Sequence, residues 1–310
     1  MQLPALKQQK IKKPSWLKVP VPGGDRYNQI RSALRKRHLH TVCEEAHCPN
    51  IGECWGEGTA TFMIMGDVCT RGCKFCAVKT ARKGNPLDPF EPQKISKSIA
   101  IMGLDYVVIT SVNRDDLPDG GSVHFAKVIE EAKRDHPRLV IEVLTPDFQG
   151  IEEQIATVAD ASPHVFSHNI ETVRRLTPQV RDPRATYDQS LKVLKFVKEK
   201  FPSIYTKSSL MLGVGETDDE ILEAFEDLKK AGVSFLTLGQ YLQPSHNHLP
   251  VQEFVAPEKF DYLKNWGETF GFDSIAAGPL VRSSYRAGEF FIKRKIVERK
   301  NYGLENARPR

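Results

Sequence analysis

Residues 66–76 read Gly-Asp-Val-Cys-Thr-Arg-Gly-Cys-Lys-Phe-Cys, and this segment decides the fold. Its cysteines, Cys69, Cys73 and Cys76, are spaced C-x3-C-x2-C. The apolar run 60–65 just before them predicts a buried strand. The three cysteines therefore fall on a loop at the carboxyl end of a strand, which is where parallel-sheet proteins gather the side chains that bind ligands.

A second set of cysteines precedes the first. Cys43, Cys48 and Cys54 are spaced C-x4-C-x5-C, so all six cysteines of the chain lie within 43–76. Disulfides explain them poorly, because a chain of 310 residues can bury an adequate core and a cytosolic compartment keeps thiols reduced. Ligation of metal by thiolates is the better interpretation.

Each set stops at three thiolates, one short of the four ligands that close a structural zinc site. His47 lies inside the first set, but it adjoins Cys48, and a residue next to a ligand usually points elsewhere. Three thiolates around a cubane iron–sulfur cluster leave one iron without a cysteine, available to a fourth ligand or to a substrate. The count therefore favours iron–sulfur chemistry over a structural metal.

Beyond the cysteines the chain alternates apolar runs with amphipathic stretches, which predicts βα units around a parallel sheet. The six predicted strands are 60–65, 106–112, 139–144, 165–170, 205–212 and 235–242. The predicted helices are 122–135, 151–159, 186–201 and 218–232, with basic helices at 27–38 and 290–300. Such a sheet could be open and doubly wound, or curved into a partly closed barrel.

Polar residues follow several predicted strands, at the sheet edge where function gathers. They are Thr110 and 113–116, then His168, Asn169 and Glu171, then Gly213, Gly215 and Glu216, and finally Gln240, Tyr241, Gln243 and Ser245. Ordinary turn chemistry explains 119–121 equally well. The Gly213–Gly215 pair lacks the third glycine of a dinucleotide fingerprint, so it predicts either a close backbone approach to a ligand or a tight turn.

Composition narrows the class of protein. Hydrophobic residues make up 40% of the chain, charged residues 27%, and the net charge is +5, which falls short of a nucleic-acid-binding signature. The longest apolar runs are far below the ~20 residues of a membrane-spanning helix, and the basic N-terminus does not read as a secretory signal. We expect a soluble, cytoplasmic protein that binds neither membranes nor nucleic acid.

The C-x3-C-x2-C spacing, with the aromatic Phe75 before Cys76, resembles the signature of the radical S-adenosylmethionine (SAM) superfamily. In that superfamily the three thiolates hold a [4Fe–4S] cluster, and SAM chelates its fourth iron. An electron from the cluster cleaves SAM to a 5′-deoxyadenosyl radical that removes hydrogen from unactivated carbon. The resemblance implies an α/β fold, a partial (β/α)6 barrel of the radical SAM type over 59–250, with an N-terminal extension 1–58 and a C-terminal extension 251–310.

Two further segments resemble the lipoyl synthase family. Residues 43–55 read Cys-Glu-Glu-Ala-His-Cys-Pro-Asn-Ile-Gly-Glu-Cys-Trp, and residues 282–287 read Arg-Ser-Ser-Tyr-Arg-Ala, matching that family's R-S-S-Y-x-A motif. The resemblance implies that the first cysteine set binds an auxiliary [4Fe–4S] cluster and that a serine of the motif is its fourth ligand. We assign that role to Ser283 over Ser284; two serines that cap a helix starting near Ala287 are the alternative.

The resemblance also implies a reaction, in which two sulfur atoms enter an octanoyl chain at C6 and C8. That chain is held in amide linkage by a lysine of a lipoyl carrier domain, each insertion consumes one SAM, and the auxiliary cluster donates the sulfur. The catalytic and metal-binding residues would be Cys43, Cys48, Cys54, Ser283, Cys69, Cys73 and Cys76.

The SAM-contacting residues are assigned by their position along the chain; for Arg184 a surface ion pair is the alternative, as is a structural ion pair for Arg114 and Asp115. Phe75 would lie against the adenine, Asn113 and Glu171 would bind the ribose or methionine portion, and Arg184 would pair with the methionine carboxylate. The expected partners are an octanoylated carrier, such as a 2-oxoacid dehydrogenase E2 subunit or the glycine cleavage H protein, and an electron donor such as ferredoxin or flavodoxin. The enzyme itself is expected to be a monomer.

Three other functions compete with this one. An RNA-directed methylthiotransferase would need an additional nucleic-acid-binding domain, for which the chain has no spare length. A ferredoxin-like carrier or cluster scaffold would need neither a long βα body nor a vacant iron. A zinc-binding nucleic-acid module would be colourless, whereas two cubanes predict a brown protein with about eight irons per chain.

Overall fold

The computed structural model describes residues 12–19, 22–37, 39–45, 48–56 and 59–284. His47, the basic helix expected over 290–300, and residues 285–287 of the R-S-S-Y-x-A motif lie outside these ranges.

The core of the described chain is a sheet of eight strands, seven of them parallel. The strands are β1 (His40–Thr41), β2 (Thr59–Ile64), β3 (Val68–Cys69), β4 (Lys79–Thr80), β5 (Tyr106–Ser111), β6 (Val140–Leu144), β7 (Val165–Ser167), β8 (Tyr205–Leu212), β9 (Phe235–Gln240) and β10 (Ser274–Gly278). The large sheet has the order β1-β2-β5-β6-β7-β8-β9-β10, and β3 pairs separately with β4. Only β1 runs antiparallel in the large sheet. Because β1 and β10 form its two edges, the sheet is open there.

Helices connect the parallel strands. They are α1 (Asp25–Lys36), α2 (Val42–Glu45), α3 (Ile51–Gly56), α4 (Glu91–Met102), α5 (Ser122–Asp135), α6 (Glu152–Asp160), α7 (Thr177–Val180), α8 (Tyr187–Lys200), α9 (Asp218–Lys230) and α10 (Pro257–Thr269). Local sequence sets their ends: Thr217 and Glu220 form a reciprocal capping box that starts α9. Within the described residues, no helix combines the length and apolar character needed to cross a bilayer.

The sequence-based expectation of an α/β fold with a mainly parallel sheet is confirmed, and α5, α6, α8 and α9 match the four predicted helices. The sheet nevertheless has one more parallel strand than the six expected. This strand, β10, reads Ser-Ile-Ala-Ala-Gly, and its small residues carry little strand signal. The predicted strand 165–170 ends early, at Ser167. Glu171, just beyond it, has a φ of +66°, which lies outside the extended region of the backbone.

Burial divides the sheet into two faces. The outer face packs under the helices, and α4 contacts both α1 and α5. The inner face carries a smaller apolar cluster of Tyr106, Val108, Val140, Val165 and Phe235. This cluster fills the barrel near the amino ends of the strands, so the open space lies at their carboxyl ends.

A buried ion pair crosses the barrel interior beside this cluster. Lys207 on β8 donates to both carboxylate oxygens of Glu142 on β6, at 2.9 and 3.0 Å, and both side chains are at most 1% exposed. The hydroxyl of Tyr106 donates to the same carboxylate. The three side chains satisfy one another, which is the condition under which charges are tolerated in a core.

Removing one partner of this pair should destabilise the fold more than removing both. We expect Lys207→Met to lower the free energy of unfolding by about 3–5 kcal/mol, because it leaves the Glu142 carboxylate buried and unpaired. Urea denaturation followed by circular dichroism measures the change. The double variant Lys207→Met/Glu142→Leu should lose less free energy of unfolding than Lys207→Met. An equal or larger loss would contradict the explanation that the unpaired charge of Glu142 causes the destabilisation.

Candidate active site

A cavity of about 400 Å³ opens at the carboxyl ends of the parallel strands. Most of the residues predicted as site residues line it, namely Cys69, Cys73, Cys76, Phe75, Asn113, Glu171 and Ser283. The last residues of β5, β6, β8 and β9 complete its wall. The structure therefore brings the C-x3-C-x2-C loop, the strand-end polar residues and one serine of the R-S-S-Y-x-A motif to one place.

Backbone amides point at the sulfur atoms of the triad. The N–H groups of Arg71 and Asn113 both donate to the Sγ of Cys69, at 3.4 Å, and the N–H of Asp182 donates to the Sγ of Cys73, at 3.3 Å. Such donors stabilise negative charge on sulfur and tune iron–sulfur clusters. Asn113 thus lines the cavity and also donates a main-chain hydrogen bond to a cysteine of the triad.

The triad thiols fit a metal cluster better than they fit free cysteine. All six cysteines are free of disulfides. Burial raises the pKa of Cys76 to about 12 and also raises the pKa of Cys73. A buried thiol of this kind stays protonated at neutral pH unless a metal takes the place of the proton.

A buried arginine inside the triad loop holds that loop in shape. The guanidinium of Arg71 makes two hydrogen bonds of 2.9 Å to Asp115 and one of 2.6 Å to Asp147, and its side chain is 1% exposed. Burial alone would raise the pKa of Asp147, but the bond to Arg71 and its charge lower it overall. Arg71 and Asp147 therefore form a fully charged pair beneath the cysteine loop.

Arg184 lies apart from the cavity. Its guanidinium, which is half exposed, donates to Asp182, to Asp115 and to the carbonyl oxygen of Thr70. Asp182 in turn accepts from the N–H of Gly72, at 2.9 Å, and the hydrogen bonds from Arg184 hold the pKa of this carboxyl well below its usual range. Arg184 thus braces the triad loop and is not among the residues that line the cavity, and its contact with the methionine carboxylate stays a prediction.

Arg181, which the sequence analysis did not single out, lines the cavity together with two other arginines, Arg71 and Arg282. It is buried and close enough to Glu171 and Cys73 for their charges to affect its pKa. Burial raises the pKa of Glu171, and the charge of Arg181 opposes that shift. Asn169 donates to Glu171 at 3.1 Å. The only signal for Arg181 in the sequence is its position in the loop after the fourth predicted strand.

The first cysteine set lies beside the C-terminal motif. The side-chain amide of Asn50 donates to the carbonyl oxygen of Leu280, at 2.6 Å, and the hydroxyl of Thr61 on β2 donates to that of Ser284, at 2.9 Å. The hydroxyl of Ser284 is thereby hydrogen-bonded to a residue of β2, whereas Ser283 lines the cavity. Sequence reasoning alone could not separate these two serines.

The charges around this first set are also informative. Burial raises the pKa of Cys43 to about 12 and raises that of Cys48, while the nearby guanidinium of Arg282 opposes the shift at Cys48. Among the described residues, no three His, Cys, Asp or Glu side chains converge tightly enough to hold a single metal ion.

Comparison with known proteins identifies the family. The model of the radical SAM superfamily matches residues 63–228, and the model of the N-terminal domain of lipoyl synthase matches residues 2–48. The chain is 60% identical to lipoyl synthase from Anaeromyxobacter sp. (strain Fw109-5) over 93% of its length and 98% of that protein. It is 55% identical to lipoyl synthase from Halorhodospira halophila over 96% of its length and 87% of that protein.

A solved structure supports the fold independently. The [FeFe]-hydrogenase maturase HydG from Carboxydothermus hydrogenoformans superposes with a TM-score of 0.53 at 12% identity, over 87% of this chain and 78% of that one. The family uses SAM and a [4Fe–4S] cluster. From its cysteine spacing, its parallel sheet and these matches, the chain belongs to the lipoyl synthase family of radical SAM enzymes.

Proposed function

We propose that this enzyme inserts two sulfur atoms into an octanoyl chain carried by a lipoyl domain, at C6 and C8, and consumes an auxiliary [4Fe–4S] cluster as the sulfur substrate. One observation carries the proposal. Leu280 accepts a hydrogen bond from Asn50, which lies between Cys48 and Cys54 in the sequence, and Ser283 lines the cavity that holds the radical SAM triad. A radical formed at the triad and a sulfur source at the first set would then share one chamber.

The protein's own contribution is to hold and shield the reacting groups. Cys69, Cys73 and Cys76 would ligate the cluster whose reduction cleaves SAM, and the resulting 5′-deoxyadenosyl radical would take hydrogen from the octanoyl carbon. Apolar side chains of Met63, Leu144 and Met211 line the same cavity. Their burial against a bound acyl chain would exclude water from the radical steps.

We propose a revised set of contacts to the cosubstrate SAM. Phe75, Asn113 and Glu171 keep their proposed roles toward the adenine and the ribose or methionine portion, because all three line the cavity. Arg181 replaces Arg184 as the proposed partner of the methionine carboxylate, since its guanidinium is on the cavity wall and that of Arg184 is not.

The auxiliary cluster is proposed to have Cys43, Cys48, Cys54 and Ser283 as its ligands. An alkoxide is a harder ligand than a thiolate and a less usual partner for cluster iron, so the serine-bound iron would be the first to leave when the cluster is dismantled. The proposed carrier is a 2-oxoacid dehydrogenase E2 subunit or the glycine cleavage H protein. An electron donor such as ferredoxin or flavodoxin would reduce the triad cluster.

Alanine variants of the two cysteine sets should separate the two half-reactions. With an octanoyl-lysine peptide, SAM and reductant under anaerobic conditions, we expect the wild type to add two sulfurs less two hydrogens, measured by mass spectrometry. Cys54→Ala should still form 5′-deoxyadenosine but add no sulfur, because only the sulfur source is lost. Cys69→Ala should form neither product. Sulfur addition by Cys54→Ala at the wild-type level would refute the proposed donor.

The two neighbouring serines provide a matched pair for the fourth ligand. We expect Ser283→Ala to lower lipoyl product by more than about tenfold and to reduce the iron retained at the auxiliary site. Mutation of residues that support a metal site typically lowers metal affinity or activity by at least about tenfold. Ser284→Ala removes the hydroxyl that accepts from Thr61 and should retain iron and product. Iron and sulfide analysis with product mass spectrometry reports both; full iron and product in both variants would exclude a serine ligand.

A further inference from the structure

The guanidinium of Arg181 is only partly satisfied by the protein. Its Nη1 donates to the hydroxyl of Ser190, at 2.7 Å, and to the carbonyl oxygen of Ile170, at 3.4 Å. Among the described residues, its Nε and Nη2 donate to no protein acceptor. A buried guanidinium with free donors on a cavity wall predicts an anionic ligand, because buried polar groups otherwise find partners.

Behind Arg181 lies a short chain of buried hydrogen bonds. The Nδ1 of His168 is 2.9 Å from the carbonyl oxygen of Thr145, and its Nε2 is 3.0 Å from the hydroxyl of Ser190. Ser190 lies on α8 and is fully buried, and His168 is 3% exposed. The chain thus runs from β6 through two side chains to Arg181.

Donor and acceptor capacity fixes the direction of these bonds. The carbonyl oxygen of Thr145 only accepts, so the proton of the neutral His168 ring lies on Nδ1, and Nε2 is an acceptor that faces the hydroxyl of Ser190. Burial, with the charge of Arg181 second, lowers the pKa of His168 to about 4, so the ring stays neutral at physiological pH. The hydroxyl of Ser190 then has two acceptors for its one proton, the Nε2 of His168 and the carbonyl oxygen of Thr186 at 3.2 Å, and it accepts from Arg181 through a lone pair.

We infer that His168 and Ser190 are positioning residues that aim the free donors of Arg181 at the carboxylate of SAM. The inference rests on the proposed function, in which Arg181 binds that carboxylate. His168 also lines the cavity, but in this inference it acts on SAM through Ser190 and Arg181 and not by direct contact. Their role is to prevent the guanidinium from turning away toward Glu171, the nearby buried acid.

The test measures binding of SAM to the reconstituted holoenzyme by equilibrium dialysis. We expect Ser190→Ala and His168→Phe each to raise the Kd about tenfold, since a hydrogen bond to a charged group contributes about that much. The matched control is Ser167→Ala, which removes a fully buried hydroxyl that has no hydrogen-bond partner among the described residues. Its Kd should match that of the wild type.

Decarboxylated SAM distinguishes positioning from general damage. Because it lacks the carboxylate, the two variants should bind it as the wild type does. A Kd for SAM within about twofold of wild type in His168→Phe would overturn the inference, as would equal weakening for SAM and its decarboxylated form. If Ser190→Ala does not fold, His168→Phe decides alone.

Failure of this inference is distinct from failure of the proposed function. The variants retain every cluster ligand, so at saturating SAM they should still add sulfur to the octanoyl-lysine peptide. Absence of sulfur addition by the wild type itself would instead contradict the proposed function and leave the binding measurements intact.

Discussion

The buried ion pairs of Arg71 are the constraint on which the site depends. Three sulfur atoms must face one point before a cluster can bind, yet the loop that carries them has almost no regular structure beyond β3. Arg71 supplies the missing rigidity, because Asp115 and Asp147 reach it from the loops after two different strands, β5 and β6. With its side chain buried, these bonds are shielded from water and their geometry is fixed. The cysteine loop is thereby fixed to the ends of two strands of the sheet.

The second organising feature is the segment after β10, which bridges the gap between the two edge strands of the sheet. β1 and β10 do not pair, so the barrel is incomplete between them. The chain leaving β10 crosses toward the other edge, where Leu280 meets Asn50 and Ser284 meets Thr61. Gly239 permits the crossing, since a Cβ there would lie 2.1 Å from the carbonyl oxygen of Val281. Segments far apart in sequence thus meet at the mouth of one cavity.

Much of the fold could be predicted from the sequence, and part of the site could not. Cysteine spacing and βα alternation are local patterns, so the triad, six strands and four helices were accessible. The strand β10 was missed because small residues give weak strand signals, and α4 was missed because its start lies in a proline-rich stretch. Arg181 and Arg184 lie three residues apart with similar chemistry, and only the partners of each in three dimensions show which one faces the cavity.

The crossing segment also sets an order of events during synthesis. The ribosome has made all six cysteines by residue 76, whereas the partners of the triad loop follow later, first Asp182 and Arg184 and then His248 and Leu249, which bond to Cys76 and Lys74. Ser283 comes almost at the end of the chain. The described partners of the triad loop are therefore all synthesised before Ser283, so under the proposed function a nascent polypeptide acquires the residues of the triad site before those of the auxiliary site.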